Sequence, residues 1–138
     1  MDPSDIDGEI DWYAVDAKGF VALMCSAGFG PVPKMVFEQW DSQRRIGEYL
    51  SVTSGACDTM DLIRLRRLLC EFGVYSYDWK HWEGPYGRIG SPVFPHLAAE
   101  LGFSQELQNA LIPMPLSFRT TEILRPELLL PCASIRRN

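Results

Sequence analysis

Histidine, cysteine and clustered carboxylate are the side chains in this sequence that are equipped for chemistry, and none stands in a spacing that completes a reaction centre. The two histidines, His81 and His96, form neither H-x-x-x-H nor H-E-x-x-H, so the ligand pair of a zinc hydrolase is missing. His81 follows Asp78-Trp79-Lys80, close enough for a carboxylate and an imidazole to cooperate as acid and base. On an exposed loop the same residues are simply solvated. Cys25, Cys57 or Cys70 with His81 would formally supply a thiol nucleophile and its base, yet no oxyanion-hole loop or nucleophile elbow flanks any of them. The four cysteines, these and Cys132, contain no C-x-x-C pair and are read as free thiols, with neither zinc nor a redox motif.

Two further groups suggest a ligand. Asp5, Asp7, Glu9 and Asp11 alternate, so an extended chain carries all four on one side. Glycosidases and nucleases also use paired carboxylates, but this stretch is too hydrophilic to build the pocket that would shift a pKa or fix a metal. A partner-facing acidic strip is the functional reading, and a flexible acidic N-terminus over residues 1–9 is the plainer one. Gly28-Phe29-Gly30-Pro31-Val32-Pro33-Lys34 begins as a phosphate loop would, but completes neither G-x-G-x-x-G nor G-x-x-x-x-G-K-[ST]. Its two prolines remove amide donors that a phosphate needs. No catalytic residue, metal or cofactor is therefore expected.

The elements that must position these groups follow from periodicity. Ile10 to Val15 alternates, Asp16-Ala17-Lys18-Gly19 is a turn, and Phe20 to Cys25 is apolar, which predicts an N-terminal β-hairpin. After the Gly-Pro segment, Val36, Phe37, Trp40, Ile46, Tyr49 and Leu50 predict one helix over 33–50. A second, capped by Asp58 or Thr59, runs to Phe72 and closes at Gly73. Arg64, Arg66 and Arg67 take its remaining faces as solvated surface. Strands are expected at Val74 to Trp79 and at Tyr86 to Phe94, short helices between His96 and Leu111 with Ser104 as a cap, and a final strand from Phe118 to Leu124. The tail 132–138 is expected to fray. The order β-β-α-α-β-β-α-β predicts a single α+β domain over 1–138, an antiparallel sheet of four to five strands with helices packed mainly on one face.

Composition agrees with one self-sufficient domain: 138 residues, 46% hydrophobic and 22% charged, is ordinary globular usage rather than that of a disordered chain. The net charge of -5 is uneven. Residues 1–60 hold ten acids against four bases, and residues 61–138 hold eight against nine. The negative end disfavours phosphate-backbone binding and suits a basic partner. With no signal-peptide pattern and no apolar run long enough to cross a bilayer, a cytoplasmic protein is expected, without nucleic acid or membrane as partner.

Aromatic residues beside carboxylates remain the most distinctive pattern. Tyr75, Tyr77, Trp79 and Trp82 are expected to act as contact anchors together with Asp5, Asp7, Glu9 and Asp11, since exposed Trp and Tyr are enriched at interfaces. Asp11-Trp12-Tyr13-Ala14-Val15-Asp16, Gly28-Phe29-Gly30-Pro31-Val32-Pro33, Tyr75-Ser76-Tyr77-Asp78-Trp79 and Tyr86-Gly87-Arg88-Ile89-Gly90-Ser91-Pro92, in that order, resemble the motif series of immunity-type proteins. Those are small bacterial proteins encoded beside polymorphic or contact-delivered toxins. The resemblance implies a cytoplasmic, non-enzymatic inhibitor that binds a cognate toxin, possessed of no shared catalytic residue. The competing classes are a small hydrolase or transferase using a cysteine or carboxylate near His81, and a ligand-sensing domain with its pocket beside the Gly28 to Pro33 loop.

Overall fold

The computed structural model describes residues 10–27, 30–55, 62–80, 84–125 and 132–133. Strands β1 (Asp11–Val15) and β2 (Val21–Cys25) form the expected hairpin, with Asp11 opposite Cys25 and Val15 opposite Val21. Asp16 organises its turn: Oδ1 accepts from the amides of Lys18 at 3.0 Å and Phe20 at 2.9 Å. Gly19 takes φ 95°, a region that costs glycine little. The other carboxylate oxygen, Oδ2, accepts from the Phe118 amide at 2.9 Å, tying the turn to a segment 102 residues further on.

The sheet corrects one expectation. It has six strands in the order β6-β1-β2-β4-β5-β7 and mixes directions. In it β4 is Tyr75–Trp79, β5 Tyr86–Gly90, β6 Ile112–Pro113 and β7 Ile123–Leu124. The pairs β1·β6 and β2·β4 are parallel, and the others antiparallel. The helices between β2 and β4 form a crossover, which returns the chain alongside β2 in the same direction, as a hairpin cannot. Strands β6 and β7 are two residues each, too short to leave an alternation in the sequence. A separate ladder joins β3 (Val32–Pro33) to β8 (Cys132–Ala133), so the first residues of the expected frayed tail are strand.

The single helix expected over 33–50 is two, α1 (Lys34–Glu38) and α2 (Trp40–Ser54). At Gln39 the backbone leaves helical geometry, with φ -108° and ψ 29°. The break lets one stretch serve both faces of the sheet. Val36 and Phe37 of α1 join the core on one face, while Ile46 and Leu50 of α2 join the core on the other. Helix α3 (Leu62–Glu71) ends ahead of Gly73 as expected, while its proposed caps Asp58 and Thr59 lie outside the described residues. Helix α4 (Gln105–Ala110) is capped by Ser104, whose Oγ accepts from the Leu107 amide at 3.3 Å.

Alternation along the strands sorts the two cores. Trp12, Ala14, Met24, Tyr75, Tyr77, Trp79 and Tyr86 point to one side, where they meet α1, Phe118 and Leu124. Val21, Leu23 and Cys25 point to the other, under α2, α3 and α4. Buried Gln43 of α2 joins the layers. Its side-chain amide accepts from the Tyr13 amide at 2.8 Å and donates to the Tyr13 carbonyl at 3.0 Å and to the Ala110 carbonyl at 2.7 Å. Because β6 pairs β1 only at Ala14 and Val15, Gln43 stands in for a neighbouring strand at Tyr13 and leaves no orphaned backbone group there.

Candidate functional site

Tyr75, Tyr77 and Trp79 are buried, which corrects their assignment as contact anchors. Tyr75 and Tyr77 both pack on Phe118, with ring centroids 5.7 and 5.6 Å apart, and Trp79 meets Tyr86 edge-on at 5.0 Å. The Tyr77 hydroxyl is used up inside, donating its one proton to the Thr121 carbonyl, with the Phe118 carbonyl a more distant second acceptor. Alternation shows that three aromatics share a face, but not whether that face is covered; Phe118 covers Tyr75 and Tyr77, and Tyr86, Gly30 and Gly84 close on Trp79. Of the expected acidic strip, Asp11 is exposed at the start of β1, whereas Asp5, Asp7 and Glu9 lie outside the described residues, as do Trp82, His81 and Cys57. His96 is exposed, with Nδ1 2.9 Å from the Phe72 carbonyl.

The Gly-Pro segment is filled rather than hollow where it is described. At Gly30 a side chain would meet Tyr86 Oη at 2.8 Å and the Trp79 ring at 2.9 Å, and Tyr86 Oη donates to the Pro31 carbonyl at 3.0 Å.

Space opens instead on the helix side of the sheet. A groove of about 410 Å³ runs between α3 and β5, walled on the helix by Ile63, Arg66, Arg67 and Cys70 and on the strand by Ile89 and Gly90. The helix residues recur at i, i+3, i+4 and i+7, so they form one stripe. Strand β5 puts glycine on this face, and neighbouring side chains fill the space over it. A side chain at Gly87 would run into Lys80, and one at Gly90 into Ser76 Oγ. The row Asp78, Gly87 and Ile123 continues across β4, β5 and β7, placing Ile123 on the helix side at the sheet's end. Ile63, Ile89 and Ile123 are 69%, 42% and 53% exposed.

Beyond the groove the chain makes an apolar projection. Strand β5 stops at Gly90 rather than continuing to Phe94. Pro92 is buried, after which Val93 and Phe94 are 84% and 79% exposed before Pro95. Prolines on either side restrict the backbone that presents these two side chains. Sequence reading placed Phe94 at the end of a strand and so missed this projection; its signal was Pro-Val-Phe-Pro, an apolar pair that proline excludes from a sheet interior.

Electrostatics separate the groove's inner wall from its rim. Arg66 pairs with Asp78 at 3.4 Å, and Cys25 sits beside the same guanidinium. Burial, reinforced by Asp11, outweighs that cation and pushes the Cys25 thiol up to about 12, so it stays protonated and inert. Cys70, half-buried on the groove wall, is also a free thiol. Arg66 Nε and Ser76 Oγ are enclosed without a hydrogen-bond partner, too deep to meet a molecule in the groove. On the rim, Arg67 and Glu71 are both exposed, while exposed Lys80 lies over Gly87 outside the groove lining; neither cation has a carboxylate within ion-pair distance among the described residues.

Among the described residues, no group of histidine, cysteine and carboxylate side chains is arranged to hold a metal ion, and no helix is long and apolar enough to cross a membrane. Comparison of the chain with family models, with curated proteins and with solved structures gives no match.

Proposed function

We propose that this chain is a non-enzymatic, cytoplasmic protein-binding inhibitor of the immunity type that its motifs resemble, neutralising a cognate bacterial toxin by forming a tight complex. The observation that supports this reading is the projection at Val93 and Phe94, 84% and 79% exposed. Large apolar side chains left in water at a proline-restrained tip lose little conformational freedom on docking, and burying one side chain of this kind contributes about 2 kcal/mol. Ile89, two residues before Ser91 and on the groove wall, extends the apolar surface toward α3. The contact surface is therefore assigned to the helix-side end of the sheet and the 91–95 segment. The aromatic strand β4 supports it from below.

The test is a pull-down of the tagged protein from its native cytoplasm after a stringent salt wash, followed by co-expression of the captured protein. One stoichiometric partner whose toxicity is relieved by this chain, and which Phe94→Asp no longer captures, is the expected result. A clean monomer with no partner, or capture that is indifferent to Phe94→Asp, overturns the proposal.

A further inference from the structure

We infer that His96 is the positioning residue that fastens the Val93–Phe94 projection to the end of α3, so that the two side chains meet a partner in one fixed orientation; this rests on the inhibitor reading above. The projection leaves the fold between two roots. On its N-terminal side Pro92 is buried. On its C-terminal side the chain returns through His96, Leu97 and Ala98, and each of the three is held. The Ala98 amide donates to the Gly19 carbonyl at 2.9 Å, at the β1–β2 turn, and Leu97 bridges to Phe20 beside it. The Leu97 amide also donates to Glu100 Oε1 at 2.8 Å. Of these attachments, the one at His96 stands nearest to Phe94 along the chain.

Its anchor is the carboxyl end of α3. The His96 amide donates to the Gly73 carbonyl at 3.1 Å, and Nδ1 lies 2.9 Å from the Phe72 carbonyl. A carbonyl oxygen only accepts, so Nδ1 carries the proton and donates. Carbonyls at the end of a helix have no partner within it, and these two, just past Glu71, are met by His96 from far along the chain. Gly73 makes that approach possible. It has φ 94° and no side chain, and a Cβ there would collide with Nδ1 of the imidazole and meet its Cγ at 2.8 Å. Burial does not hold the ring, since His96 is exposed. The hydrogen bond holds it, which makes the role separable from the fold: His96 belongs to neither core, and its backbone amide is unaffected by a change of side chain. A tip already held in one conformation loses less freedom on docking than a loose one, so His96 acts on partner affinity through Val93 and Phe94.

The test compares the full chain unsubstituted, as His96→Ala, and as His96→Asn, whose side-chain amide nitrogen can take the place of Nδ1 as donor. In the unsubstituted chain the ring-nitrogen NMR spectrum is expected to show a proton on Nδ1, and the backbone order parameters of Val93 and Phe94 to stand at about 0.85, the value of rigid backbone. His96→Ala is expected to lower them to below about 0.6 while β1, β2 and α3 keep theirs, and His96→Asn to restore most of the order. Capture from the native cytoplasm is expected to follow the same sequence, with His96→Ala binding the retained partner about tenfold more weakly and His96→Asn recovering. An Nδ1 without a proton, a tip as ordered in His96→Ala as in the unsubstituted chain, or His96→Asn behaving as His96→Ala overturns the assignment. So does capture that is indifferent to His96→Ala. If the unsubstituted chain captures nothing, the inhibitor reading falls by itself, and the ring spectrum and order parameters still decide whether His96 holds the projection.

Discussion

The two faces of the central sheet are built from the same strands and finished differently. On one, Trp12, Tyr75, Tyr77 and Tyr86 are sealed beneath Phe118 and Leu124, with the hydroxyl of each of Tyr77 and Tyr86 donating to a backbone carbonyl. On the other, three helices cover β1, β2 and β4, and among the described residues no helix continues the layer over β5 and β7. The closed face has no surface left to offer, so its aromatic residues serve stability. The unfinished face keeps the apolar side chains of Ile63, Ile89 and Ile123 in water.

The sharpest way to break that contrast is to open the closed face. Trp12→Ala removes a fully buried indole and is expected to cost about 4 kcal/mol in urea denaturation. A loss below about 1 kcal/mol would mean that this face is not sealed. Asp16→Ala comes next. It strands the amides of Lys18, Phe20 and Phe118, with an expected loss of about 3 kcal/mol and a smaller one for Asp16→Asn, which keeps an acceptor.

Alkaline pH probes the covered part of the helix side. The Cys25 thiol rises from an ordinary 9.0 to about 12 on folding, and burial raises the Tyr13 phenol as well. Both groups ionise more readily in the unfolded chain, so above about pH 9 the unfolded state holds fewer protons and stability falls as pH rises. Denaturation midpoints between pH 8 and pH 10.5 are expected to decline, by up to about 1.4 kcal/mol per pH unit from the thiol alone. In Cys25→Ala the decline should flatten, and an unchanged slope would remove Cys25 as its source. Iodoacetamide at pH 8 should modify Cys70 well before Cys25. The smallest effect on stability belongs to the projection: Phe94→Asp is expected to shift the midpoint by no more than about 0.5 kcal/mol while abolishing partner capture. Destabilisation by several kcal/mol would place Phe94 in the fold rather than on its surface.

Legibility in the sequence followed the range of the interactions. The β1–β2 hairpin, β4, the Gly73 stop and the Ser104 cap depend on neighbours a few residues away, and period and capping chemistry revealed them. Strands β6 and β7 exist because longer strands offer them an edge, and two residues carry no period. The break at Gln39 was hidden because residues on either side are apolar at helical spacing; what separates them is the face of the sheet each one reaches.

The candidate surface divides in the same way. Composition and the Pro-Val-Phe-Pro bracket were written in the chain, and so was the failure of every catalytic spacing. Which aromatics are covered was not, because a β-strand turns alternate residues to one face whether or not anything lies over it. Tyr75 and Tyr77 became core when Phe118 folded across them and Trp79 when Tyr86, Gly30 and Gly84 closed on its ring, and Ile63, Ile89 and Ile123 became surface because no described helix spans β5 and β7. Local periodicity determines direction. Burial is decided by the elements that arrive from elsewhere in the chain, and so only the tertiary structure distinguishes the sealed face from the open one.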